Sequence, residues 1–255
     1  MRDHASKLKG LMWVLITCGC AVFLAVGIRP LAHAIPWSWE QKLGEAIKLD
    51  LSRNDCRYNS EADALLRRLV ERVYPINPDD RDFSIEVTIV KNPVVNAYAA
   101  LGGKIMFNSG LLKKAGSPEE IAGVLAHEIE HVRHRHIMEG AMVHLFTSEG
   151  IHLIFGGGSA GNFANYFLRM DFTRSQEIQA DEEGLRRLQK AHIDNQGFKK
   201  FFERMENENG SSVFLSDHPS NRARMEMTEK FKNEDTRPIM TAEEWKILKN
   251  YCGEK

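Results

Sequence analysis

SPEEIAGVLAHEIEHVRHRH, residues 117–136, decides how the rest of the chain is read. Ser117 can cap a helix, Pro118 suits its first position and Glu120 can return the cap's hydrogen bond, so a helix is expected to begin near 118 and carry the histidine-rich end. At about 100° per residue, His131 falls about 40° from His127 and His134 about 340°, whereas His136 falls about 180° away and is expected to face elsewhere. Spacings of three and four both share a helix face, so geometry leaves the pairs His127/His131 and His131/His134 open. Glu128 separates them, because it follows His127 directly and completes H-E-x-x-H. Two imidazoles one turn apart can share a tetrahedral zinc ion, and the adjacent glutamate can take a proton from a water that the metal activates. A chain with ten histidines can also contain this pattern by chance, so it needs a partner.

A catalytic zinc requires a third protein ligand and an open position. In TRSQEIQAD, 173–181, Glu177 and Asp181 stand four apart on one predicted helical face. One carboxylate can bind metal while the other accepts an imidazole N–H. Glu182 and Glu183 keep open the plainer reading of an exposed acidic stripe.

Around these motifs the chain alternates helical and extended patterns. Ala62, Leu65, Leu66, Leu69, Val70 and Val73 follow Ser60 and Asp63 at helical spacing up to Pro75, which predicts an amphipathic helix over 61–74. Ser38 with Gln41 marks another helix start. Phe83, Ile85, Val87 and Ile89 alternate with polar residues as in a half-buried strand. NPVVNAYAALGGKIMFNSGLL, 92–112, places two apolar runs around Gly102-Gly103 and reads as two strands joined by a tight hairpin. Residues 174–190 and 195–207 read as helices, and Thr241 with Glu244 opens a C-terminal one. The apolar stretch from Gly140 to Phe172 is interrupted at Gly156-Gly157-Gly158-Ser159-Ala160-Gly161. It reads as two short helices about a flexible turn, or as a lid.

Four blocks, NAYAALGG (96–103), HEIEHVRHRH (127–136), TRSQEIQAD (173–181) and HPSNRAR (218–224), occur in the order found in the HtpX/BepA-like gluzincin metallopeptidases, the family that includes the CAAX prenyl endopeptidases. The chain resembles that family over about half its length, with Thr173 where the family has serine. The resemblance implies an α+β fold, a mostly helical zincin-like domain with a small β-sheet. It implies His127, His131 and Glu177 as ligands of one zinc ion, Glu128 as the base and Asp181 as hydrogen-bond partner of His127. His218 and Arg224 are implied to approach the site, to stabilise an oxyanion or to hold an autoinhibitory loop. A capping or core role for His218 and a structural ion pair for Arg224 stand beside that reading. The strand through Asn96, Ala97 and Tyr98 could pair with an extended peptide, or be an ordinary hairpin arm.

Leu11 to Ile28 carries no charge and follows Arg2, Lys7 and Lys9. Its length favours a membrane anchor, while Ala32-His33-Ala34 would suit cleavage of an export signal. The expected organisation is a cytoplasmic 1–9, an anchor or signal over 10–29 and a metallopeptidase domain over 30–255. Trp13, Trp37 and Trp39 would suit the membrane interfaces. Cys18 and Cys20 read as small hydrophobes, and Cys56 and Cys252 are expected to form a disulfide in an oxidising compartment. There is no C-x-x-C, so zinc held by cysteine is not expected, and a net charge of -1 gives no reason to expect nucleic acid.

The sequence therefore predicts a zinc endopeptidase of the bacterial cell envelope, facing the periplasm, and the resemblance implies misfolded or unassembled envelope proteins as its substrates. CAAX processing is disfavoured because one apolar segment cannot build an intramembrane chamber. Two alternatives are an envelope chaperone or assembly factor on the same fold and a histidine-rich metal store using His134 and His136.

Overall fold

The computed structural model describes residues 27–51, 56, 59–75, 84–146, 170–207 and 221–252. After a helical stretch over 27–34, the order is α1 (Trp37–Leu51), α2 (Ser60–Val73), β1 (Glu86–Val90), β2 (Ala97–Ala100), a 3-10 turn (Leu101–Gly103), β3 (Lys104–Asn108), α3 (Ser109–Lys114), α4 (Pro118–Arg133), α5 (His136–Phe146), α6 (Arg174–Lys190), α7 (Gln196–Asn207), α8 (Asn221–Lys230) and α9 (Ala242–Lys249). This is the expected mostly helical fold with a small sheet.

The sheet has the order β1-β3-β2, with β1 parallel and β2 antiparallel to β3. Gly102 and Gly103 turn the chain between β2 and β3 at φ 73° and 76°, conformations that favour glycine. The register sets Ala97 opposite Phe107 and Ala100 opposite Lys104. Helix α1 lies against this turn, so closely that a Cβ on Gly44 would stand 2.2 Å from the Leu101 carbonyl oxygen.

Several element ends differ from the sequence reading, each for a local reason. Asn59, one residue before the expected cap, accepts from the Glu61 and Ala62 amides and starts α2. Ser109 and Gly110 fold back on Asn92 through three hydrogen bonds, so the SGLL tail of the expected strand becomes α3. Trp37 is buried in the core instead of facing an interface, while Trp39 is exposed.

Helix α4 runs through the centre, with every residue from Glu120 to Val132 buried. Ser117 caps it through the Glu120 amide, as the sequence predicts. It packs against α6, α7 and β2. Phe198, Phe201, Phe202 and Met205 on α7 complete the core behind it. Cys56 and Cys252 are joined by a disulfide with Cα atoms 5.1 Å apart. Among the described residues no helix is long and apolar enough to cross a membrane. Nearly all of the apolar run 11–28, and the Gly-rich part of 140–172, lie outside them.

Candidate active site

Two helices deliver the candidate residues. Thr173 and Gln176 form a reciprocal capping box, which places Glu177 in the first turn of α6. Gly184 on the same helix lies against the backbone of Ala126 and His127, at the 3.3 Å limit a Cβ would meet, and this brings α6 onto α4. Helix α8 adds Arg224. His127, Glu128, His131, Glu177, Asp181 and Arg224 are all buried.

Of the described His, Cys, Asp and Glu side chains, His127, His131 and Glu177 form a group that could hold a metal ion. His127 Nε2 is 3.0 Å from His131 Nε2. Glu177 Oε1 is 3.3 Å from His131 Nε2, and Glu177 Oε2 is 3.6 Å from His127 Nε2. A tetrahedron with metal–ligand arms of about 2.1 Å has edges of about 3.4 Å, so these separations fit a shared ion. The donor chemistry agrees. Asp181 Oδ1, 2.8 Å from His127 Nδ1, fixes the proton there and leaves the Nε2 lone pair facing the other two side chains.

Arg224 ties the carboxylates together, donating from Nε to Asp181 Oδ2 at 2.6 Å and from Nη2 to Glu177 Oε2 at 3.0 Å. Its guanidinium stacks over Phe202 with 4.1 Å to the ring centre. Burial pushes the Asp181 carboxyl up, but the Arg224 charge and the His127 and Arg224 hydrogen bonds outweigh it and hold its pKa below the usual range. Burial lowers the pKa of His127 despite the opposing influence of Glu177 and Asp181, which favours the neutral ring a metal requires.

His136 does not face away. Helix α4 ends at Arg133, Arg135 adopts φ 59°, and a new helix begins at His136. The uninterrupted 100° rotation therefore stops applying after His134. Arg135 is held by the buried Glu40, which also accepts from the Gly102 amide, and by contact with the Trp37 ring. The kink returns His136 to the site, with its Nδ1 3.0 Å from His131 Nδ1. Burial, and then the neighbouring His131, push the His136 pKa down to about 2. Phe172 stacks on His131 at 3.8 Å between ring centres. Glu130, without an expected role, receives Arg187 Nε at 2.6 Å and fastens α4 to α6. The contacts of Glu40, Phe172 and Arg187 join residues far apart in sequence, and no local spacing announces them.

Asn96 is buried at the head of β2. Its carbonyl accepts from the Asn108 amide at 3.1 Å, and its Oδ1 accepts from the Ala97 amide at 2.9 Å. Ala97 is buried and Tyr98 half-buried on the same strand, at the edge of the sheet. His218 lies outside the described residues.

Residues 60–232 match the family described as Peptidase family M48. The chain is 33% identical over 150 residues to a mitochondrial metalloendopeptidase OMA1 of Arabidopsis thaliana, covering 56% of this chain and 31% of the relative. It is 27% identical over 197 residues to the Schizosaccharomyces pombe protein of that name, covering 72% of this chain and 58% of the relative. It is 28% identical over 132 residues to the beta-barrel assembly-enhancing protease of Escherichia coli, covering 46% of this chain and 27% of the relative. The chain thus spans less than two thirds of the length of each of these relatives. With the family match running through α2, the sheet and every helix that bears a candidate ligand, the chain belongs to peptidase family M48.

Proposed function

We propose that the protein is a zinc-dependent endopeptidase acting on misfolded or unassembled proteins of the cell envelope. The observation that carries this reading is the buried meeting of His127 Nε2 and His131 Nε2, on the helix that also bears Glu128, with the Glu177 carboxylate of α6. His127, His131 and Glu177 would hold one zinc ion. When bound, zinc supplies a Lewis acid for a peptide carbonyl and makes water easier to deprotonate. Glu128 takes the proton from the attacking water and passes it to the leaving amine. Asp181 keeps the His127 proton on Nδ1, and Arg224 acts as a positioning residue that holds Asp181 and Glu177 in register.

The edge strand β2 supports substrate binding by strand addition through Asn96, Ala97 and Tyr98. The Asn96 carbonyl points toward β3, so alternation turns the backbone groups of Ala97 and Ala99 the other way. The Ala97 amide is engaged by Asn96 Oδ1, which leaves the Ala97 carbonyl and both Ala99 groups for an extended peptide. Such pairing reads backbone and suits varied unfolded segments. The bacterial relative's name and the apolar 10–29 segment favour a periplasm-facing domain in the envelope, with that segment as anchor or cleaved signal.

Metal content and cleavage of the purified chain test the proposal together. One zinc per chain is expected, with cleavage of an unfolded protein lost on chelation and restored by zinc. Zinc without any cleavage would favour the chaperone alternative, and no bound metal would refute the ligand assignment.

A further inference from the structure

We propose that His136 is the positioning residue of His131, and that a hydrogen-bond chain starting at Arg29 fixes which nitrogen of His131 is offered to the metal. The inference rests on the proposed assignment of His127, His131 and Glu177 as ligands.

The chain can be solved from its ends. Arg29 Nη2 lies 3.4 Å from Gln179 Oε1, and a guanidinium only donates, so the amide oxygen belongs on that side. At the other end, Gln179 Nε2 lies 3.1 Å from His134 Nδ1. His134 Nε2 lies 3.5 Å from Glu130 Oε2, on the carboxylate that also receives Arg187. That separation is an electrostatic contact and not a hydrogen bond, but the negative charge favours a proton on the nearer Nε2, which leaves Nδ1 to accept from the Gln179 amide. Both ends orient that amide the same way.

The middle then follows. Gln179 Oε1 is 3.3 Å from His136 Nε2, so His136 donates from that nitrogen. In a neutral imidazole the second nitrogen accepts, and His136 Nδ1 faces His131 Nδ1 at 3.0 Å. His131 must therefore carry its proton on Nδ1. Its Nε2 lone pair is left facing Glu177 and His127. Asp181 performs the same task for His127 with an anion. A neutral acceptor polarises an imidazole less than an anion does. The kink at Arg135, held by Glu40, puts His136 where it can act.

The test uses the full chain and reads zinc affinity by chelator competition, together with the electronic spectrum of the cobalt-substituted protein. His136→Phe keeps a ring and removes the acceptor. It is expected to weaken zinc binding roughly 10- to 100-fold and to change the cobalt spectrum, while His136→Gln, which can present a carbonyl oxygen, recovers most of the affinity. Gln179→Met, which leaves the His136 ring in place, is expected to weaken zinc several-fold and serves if His136→Phe does not fold. Zinc affinity within about twofold of wild type in the folded His136→Phe, or in Gln179→Met where the former does not fold, overturns the inference. Loss of zinc in His127→Ala beside unchanged affinity in His136→Phe overturns this inference alone. Undiminished zinc binding in His127→Ala overturns the ligand assignment and this inference with it.

Discussion

Arg224 grips Asp181 through the oxygen that His127 does not use: Nε stands 2.6 Å from Oδ2, while Oδ1 receives His127 Nδ1 at 2.8 Å. All three side chains are buried, so each charge depends on the others. Removing the guanidinium in Arg224→Leu leaves Asp181 and Glu177 without that cation, which should cost about 3 to 5 kcal/mol in denaturant unfolding. Arg224→Lys keeps the charge but not the two-pronged geometry, and should recover only part of that stability.

Gly123 on α4 is the second point where the site depends on close packing. A Cβ there would stand 2.8 Å from both Cβ and Cδ2 of Phe198. Gly123→Ala should destabilise by about 1 to 3 kcal/mol through overpacking. The same change in a Phe198→Leu background should cost less, and a double-mutant cycle by thermal or chemical unfolding measures the difference.

The disulfide encloses a long loop, since its cysteines are 196 residues apart. Replacing both Cys56 and Cys252 by serine should lower stability by roughly 2 to 5 kcal/mol, seen as a lower Tm. Thiol titration of the unreduced, unfolded wild type should find Cys56 and Cys252 unreactive until a reductant is added.

Acid should destabilise the metal-free protein, starting well above the carboxylate range. Burial lowers the pKa of both His134 and His136 in the folded state, the latter to about 2, against 6.5 for an ordinary histidine. Below pH 6.5 the unfolded chain binds protons that the folded one refuses, so stability falls with pH, by up to about 1.4 kcal/mol per pH unit for each such histidine. For His136 this continues down to about pH 2. Asp181, with its pKa held low, adds a further loss only below its unfolded value of 3.8. Unfolding midpoints between pH 7 and 5 should therefore drop more steeply in wild type than in His136→Phe.

What could be read from sequence was what local chemistry controls. The Ser117 cap fixed the start of α4, the four-residue spacing put His127 and His131 together, and Gly102-Gly103 marked the turn. Glu177 and Asp181 followed from the same spacing on α6. The end of α4 was illegible because Arg135 takes a left-handed conformation that a bulky residue rarely adopts, held there by Glu40 from 95 residues earlier. His136 was therefore expected on the wrong face. The stacking of Phe172 on His131 and the Glu130 to Arg187 contact are likewise tertiary, with no periodicity to betray them.

In the proposed reaction Glu128 moves the proton in peptide hydrolysis at a metal held by His127, His131 and Glu177. Glu128→Gln keeps the shape of the side chain and removes the base, so it tests this directly beside wild type on one unfolded protein substrate. Zinc content should equal that of wild type, the unfolding midpoint should be unchanged to within about a degree, and cleavage should fall by a factor on the order of 100 or more. Wild-type cleavage by the zinc-loaded Glu128→Gln protein would contradict this role of Glu128.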